Sequence, residues 1–194
     1  GGFTIQADGS LLLFMARGRV ASWRDSELTD IIDELPGEEG NRFNDVIADP
    51  AGRVFCGTMP LEPHRGGEMA GTLYRLDTDG SVTTILTGLG ISNGMGFTLD
   101  LKGMYFTDTE TRKIYLFDYD ESTGQITNQR VLFETPEAAG FGPDGMTVDA
   151  EGYIWSAQYA GSALYRYSPD GVKESRVDFP TAKNTTSVIF AGDG

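Results

Sequence analysis

The sequence predicts an all-β protein of the β-propeller class, and three observations carry that reading. Helical periodicity is nearly absent. Short runs of Val, Ile, Leu, Phe and Tyr alternate with turn residues, among them 26 glycines, along all 194 residues; this is the pattern of many short strands. Four segments share one design, an apolar strand, an Asp-bearing turn ending in Gly, and a second apolar strand: "FTIQADGSLLLFM", "DVIADPAGRVFCGTM", "GMGFTLDLKGMYFTDT" and "GMTVDAEGYIWSAQY". Their turn acids Asp8, Asp49, Asp100 and Asp149 stand 41, 51 and 49 residues apart, and units of ~40–50 residues with several strands are the signature of propeller blades.

Taken in order, the first unit supplies one clear hairpin, and "ELTDIIDELPGEEG" after it holds a helical turn at most. The three later units each add a second hairpin: "GTLYRLDTDGSVTTIL", "RKIYLFDYDESTGQITNQRVLF" and "SALYRYSPDGVKESRVDF". Two hairpins make four antiparallel strands per unit. The turn acids read as structural, because Asp in D-x-x-G bonds its own turn and Gly takes the positive φ. "DTDG" and "DYDESTGQ" resemble calcium loops but lack flanking helices and the twelfth-position Glu, so they read as hairpin tips. One domain over 1–194 fits the length. About four blades and the start of another, "TTSVIFAGDG", do not close a ring, and open sheet edges invite aggregation. The chain also starts Gly-Gly rather than Met. Either the natural protein has more chain than this, or the chain is an unusual fragment.

The net charge of −14, from 29 acids against 15 bases, disfavours nucleic acid and anionic membrane as partners, since phosphates are bound by clustered Lys and Arg. It tolerates cations and neutral substrates. The longest apolar run, "LLLFMA", is too short to span a bilayer and lacks secretory flanks. One cysteine, Cys56 in "GRVFCGTM", excludes an internal disulfide and a Cys-based zinc cluster, and reads as a buried thiol. The sequon at Asn184 is discounted without a signal peptide. These features point to the cytoplasm.

Two chemistries compete in "GISNGMGF". Gly90, Ser92 and Gly94 fit the G-x-S-x-G nucleophile elbow, which needs strand, turn and helix with His downstream. Here strand, turn and strand follow, and the only histidine, His64, lies upstream in a Pro-, Arg- and Gly-containing loop. Serine catalysis is set aside and Ser92 reads as a turn hydroxyl. The other chemistry comes from register. Each unit's first strand is entered through a polar motif, "RFND", "ISNG" or "GPDG". Rotation about a propeller axis would bring the starts of these strands to one mouth of the channel, so Arg42, Asn44, Asn93 and Asp144 are expected to form a ring. Amide oxygens and a carboxylate suit a hard divalent cation, although Asn and Asp before Gly also shape turns.

These motifs resemble the senescence marker protein / gluconolactonase / luciferin-regenerating family, to which regucalcin belongs. The match runs through "RFNDVIADPAGRVFCGTM", "GISNGMGFTLDLKGMYFTDTETRKIYLFDYD", "PDGMTVDAEGYIWSAQYAGSALYRYSPDG" and "TTSVIFAG". The resemblance implies a six-bladed propeller with one divalent metal in its channel (Ca, Zn, Mn or Mg) and hydrolysis of sugar lactones. It implies that Asn93 and Asp144 ligate the metal, that Asp144 is the general base, and that Arg42 and Asn44 line the substrate site. It implies Glu62, on a lid-like loop that is short here, as a substrate-contacting acid. The family's first metal ligand, a Glu in an early "EGP"-type motif, has no counterpart in this chain. The expected function is a divalent-metal-dependent lactonase acting on a small-molecule lactone. The alternative is a calcium-binding or scaffold propeller without catalysis. A paraoxonase-type lactonase would use histidines at the channel mouth, and one loop histidine does not supply them.

Overall fold

The computed structural model describes residues 1–62 and 69–192. Among these residues, alternating apolar runs and Asp-Gly turns produce sixteen strands in four four-stranded antiparallel sheets, each ordered by sequence. The chain divides into two compact units, Gly1–Ser92 and Asn93–Gly194. The first unit contains β1 (Gly2–Ile5), β2 (Leu11–Phe14), β3 (Val20–Arg24) and β4 (Glu27–Ile32), then β5 (Asn41–Ala48), β6 (Val54–Pro60), β7 (Gly71–Leu76) and β8 (Val82–Leu89). The second contains β9 (Ser92–Phe97, whose first residue closes unit one), β10 (Gly103–Asp108), β11 (Lys113–Asp120) and β12 (Gln125–Glu134). It continues with β13 (Gly142–Val148), β14 (Ile154–Tyr159), β15 (Ala163–Tyr167) and β16 (Lys173–Asp178). The architecture is all-β with four propeller-type blades, as the repeat predicts. No helix among the described residues is long and apolar enough to cross a membrane.

Burial differs sharply from strand to strand. β6, β9, β10 and β13 are buried nearly end to end, whereas β4 and β16 are exposed along almost all of their length. In each unit the core is drawn from both sheets. Leu12, Phe14 and Val20 of one sheet meet Phe43, Val54, Cys56 and Leu76 of the next, and the Phe14 and Phe43 rings meet edge to face at 5.3 Å. In the second unit Tyr105 and Ile114 meet Met146, Ile154, Tyr165 and Tyr167, with Phe133 stacked on Tyr167 at 4.0 Å. Such aromatic pairs contribute about 0.5–1.5 kcal/mol beyond their buried area. Cys56 is 1% exposed, and burial, reinforced by the charge of Glu38, pushes its thiol well above the ordinary range. It is an inert core residue.

Three expectations change. The stretch from Glu27 begins as a strand, β4, paired with β3 through a two-residue turn, and not as a helical turn. Leu101, not a glycine, takes the positive φ (54°) in the Asp100 turn; Gly103 is the first residue of β10, where a Cβ would meet Thr98 Cγ2 at 2.8 Å. The segment after residue 184 forms no strand. It is extended along β13 to β15, with Gly145 N–H donating to the Thr186 carbonyl and Thr185 Oγ1 to the Ala163 carbonyl.

Candidate functional site

The strand entries carry the site residues because two of them are interrupted in the same way. In β5, Phe43 opposes Thr58 and Val46 opposes Cys56, so Asn44 and Asp45 face the single residue Gly57. In β13, Pro143 opposes Gln158 and Met146 opposes Ser156, so Asp144 and Gly145 face Ala157. These are β-bulges, and a bulge re-aims the side chain of its extra residue. Asn44 and Asp144 are the first bulged residue in each case, which is why both stand five residues before their turn acids.

In the first unit, Arg42 Nη1 donates to Asn44 Oδ1 at 2.9 Å and to the Phe43 carbonyl at 3.0 Å, while Asn44 Nδ2 donates to the Ser92 carbonyl at 2.9 Å. Arg42 and Asn44 are thus brought together and the amide is oriented. Beside them, burial pushes the Asp45 carboxyl above its ordinary value, against the pull of Arg42. Glu62 is exposed, two residues past β6. His64 lies outside the described residues.

In the second unit, Asn93 is 5% and Asp144 8% exposed. Asn93 Nδ2 donates to Thr109 Oγ1 at 2.7 Å, and that hydroxyl donates to the Pro143 carbonyl at 2.7 Å. One threonine therefore links the Asn93 amide to the residue before Asp144. Their strands also touch directly, because a Cβ at Gly94 would lie 2.7 Å from the Asp144 carbonyl oxygen and 2.5 Å from Met146 N. Glycine is the residue that allows this approach.

Ser92 is the first residue of β9 and wholly buried, not a turn hydroxyl. Its Oγ has no hydrogen-bond partner and fills the space over Gly57. A nucleophile needs a base within reach, and none contacts this oxygen among the described residues. The turn acids are structural. Asp49 accepts Ala51 N, Arg53 N and Arg53 Nε at 2.6–2.9 Å; Asp100 accepts Thr98 Oγ1 and Lys102 N. Asp149 accepts Glu151 N, Tyr153 N, Trp155 Nε1 and the Arg166 guanidinium, which stacks 3.7 Å over Tyr153. Burial alone would raise the Asp149 carboxyl, but these hydrogen bonds hold it below its ordinary value.

Among the described residues no group of three or more His, Cys, Asp and Glu is placed to hold a metal. The donors the second unit does offer, one oriented amide and one buried carboxylate, are hard oxygen donors and fit Ca²⁺, Mg²⁺ or Mn²⁺ better than zinc. Two protein donors would make only part of the oxygen cage such a cation takes. The residue that sequence reasoning missed is Thr109. A threonine after an aspartate at a strand end carries no periodic signal, and its partner Pro143 is 34 residues away.

The model of the SMP-30/Gluconolactonase/LRE-like region matches residues 1–194. Pentonolactonase XacC of Haloferax volcanii is 52% identical over 194 residues, covering 98% of this chain and 62% of that protein. Among solved structures, luciferin-regenerating enzyme superposes with a TM-score of 0.88 at 32% identity, over 96% of this chain and 64% of its own. A calcium-binding protein, regucalcin from Agrobacterium tumefaciens, gives 0.86 at 29%, over 95% and 61%. The chain thus spans about three-fifths of the length of these relatives, and with all of its 194 residues matched by the family model it belongs to the SMP-30/gluconolactonase/LRE-like family.

Proposed function

We propose that the protein carrying this chain hydrolyses a small sugar-derived lactone. A divalent cation (Ca, Zn, Mn or Mg) would be held in part by Asn93 and Asp144. Asp144 serves as general base, and Arg42, Asn44 and Glu62 contact substrate. The likeness to a pentonolactonase supports lactone hydrolysis. The observation that carries the choice of residues is the bulge that turns the buried Asp144 out of the β13 ladder. When bound, the cation supplies a Lewis acid that polarises the carbonyl and acidifies water. Asp144 takes the proton from the attacking water as its oxygen adds to the carbonyl carbon. The acyl–oxygen bond then breaks, and the proton passes to the departing ring oxygen, leaving a hydroxy acid. Arg42 and Asn44, already oriented by each other, donate to sugar hydroxyls and hold the ring for attack.

A lactone panel followed by hydroxy-acid release, with and without chelator, tests this. Chelation should abolish turnover and added cation restore it. Asp144→Asn should lower kcat/KM by ~10²–10⁴-fold, and Ser92→Ala should leave most activity. A dead Ser92→Ala variant with chelator harmless would overturn the reading. The two-donor cage favours a second reading, a calcium-binding propeller without catalysis, whose outcome is cation binding with no turnover on any lactone.

A further inference from the structure

We infer that Thr109 is the positioning residue of the cation site proposed above: it holds the Asn93 amide with its oxygen turned toward the cation and locks that amide to the strand bearing Asp144. The inference rests on the reading of Asn93 and Asp144 as ligands. Its core is a count of protons. The Thr109 hydroxyl has one, and the Pro143 carbonyl at 2.7 Å can only accept, so the proton goes there. Thr109 Oγ1 is then an acceptor toward Asn93, which must offer its NH₂ group at 2.7 Å. The flipped amide would set two oxygens at hydrogen-bond distance with no proton between them. This bond decides the orientation of the Asn93 amide, and Oδ1 faces the opposite way, as a hard-cation ligand requires.

The threonine is itself held. Arg112 N–H donates to its carbonyl at 3.0 Å, and the turn is braced by Glu110 N–H on Asp108 Oδ1 and by Thr111 Oγ1 on the Asp108 carbonyl. Gly142, beside Pro143, packs against it: a Cβ there would stand 3.3 Å from the Thr109 carbonyl oxygen and 3.5 Å from Cγ2. The β-branched side chain has few rotamers to choose from. One hydroxyl therefore reaches across from the end of β10 to the entry of β13, one residue before Asp144. Partners of this kind typically change metal affinity 10–100-fold when removed.

The test measures Ca²⁺ and Mn²⁺ affinity calorimetrically, with folding checked by circular dichroism and the Asn93 side-chain NH₂ followed by NMR. Thr109→Val keeps the shape and removes both hydrogen bonds. It should weaken cation binding ~10–100-fold and shift the Asn93 NH₂ resonances, while Thr109→Ser should bind like the parent. In an Asn93→Asp background no amide needs orienting, so Thr109→Val should cost little further affinity; a merely structural threonine would cost the same in both backgrounds. Equal binding by folded Thr109→Val and parent overturns the inference, as does an equal loss in the two backgrounds. If the parent binds no more cation than an Asn93→Ala/Asp144→Ala variant, the site reading falls instead. The NH₂ resonances then decide Thr109 separately, and unchanged resonances in Thr109→Val overturn its positioning role.

Discussion

At Gly57 a β-carbon would lie 1.6 Å from the Ser92 hydroxyl oxygen and 2.3 Å from its Cβ. The serine that gives "GISNGMGF" the look of a hydrolase motif is therefore a packing residue, fitted to a glycine on the neighbouring sheet. Gly57→Ala should destabilise by about 1–3 kcal/mol through overpacking, and Ser92→Gly in that background should recover most of it. Ser92→Ala alone should change stability by less than about 1 kcal/mol, since it removes a buried hydroxyl that has no partner. Denaturant unfolding of the four proteins checks this; a Gly57→Ala variant as stable as the parent would refute the fit. Repeat register marks Asn44 and Asp144, each five residues before its turn acid, and Asn93, seven before Asp100, because all three enter the first strand of their repeat unit. Ser92 and Thr109 were not legible. Their roles come from partners 35 and 34 positions away in the chain, and nothing local in the sequence records such contacts.

The same division holds for whole elements. Inner strands were legible since burial on both faces favours mainly apolar runs such as "VFC" in β6 and "MYF" in β10. β4 was not: five of its six residues are exposed, so no alternation marks it, and its turn lacks the Asn-Gly or Asp-Gly pair that flags a tight hairpin. Arg24 pairs with Glu27, and the two loop residues between them, Asp25 and Ser26, both have positive φ, 49° and 67°. That is the conformation of a type I′ turn, which Ser adopts at a cost glycine avoids. Ser26→Gly should therefore stabilise the β3–β4 hairpin by about 0.5–1 kcal/mol, read as a rise in the unfolding midpoint with unchanged denaturant dependence. A fall in the midpoint would mean that the Ser26 side chain contributes more than its backbone strain removes. Glu38, in the connection after β4, is a second feature with no sequence signature. It is 2% exposed and takes the Tyr74 hydroxyl at 2.8 Å; burial and this bond push the tyrosine up to about 12.

Across the whole molecule the excess of 29 acids over 15 bases sets two opposing responses to pH. At neutrality the net charge of −14 repels itself and opposes compactness. Acidification toward the isoelectric region near 4.3 relieves this. Asp45 acts in the same sense: its folded value is raised, so its neutral form suits the fold and protonation adds stability. Below the ordinary aspartate value of about 3.9 the sign reverses. Hydrogen bonds from Ser10, Ser81, Thr98, Asn128 and Ser122 hold Asp8, Asp79, Asp100, Asp118 and Asp120 below that value. Asp149 is held low by Trp155 and Arg166 against its burial. A depressed carboxyl stabilises the fold above its unfolded value, and that contribution disappears as pH falls through the folded one. The melting temperature should hold or rise from pH 7 to about 5 and fall steeply below about 3.9. At pH 7, raising salt from about 10 to 150 mM shortens the screening length from about 30 to 8 Å, and the melting temperature should rise as the repulsion is screened. Calorimetric scans across the pH and salt series check both. Salt-induced destabilisation at pH 7 would instead assign the surface balance to ion pairs such as Arg17–Glu34 and Arg130–Asp118; screening would weaken those attractions faster than it relieves the net charge.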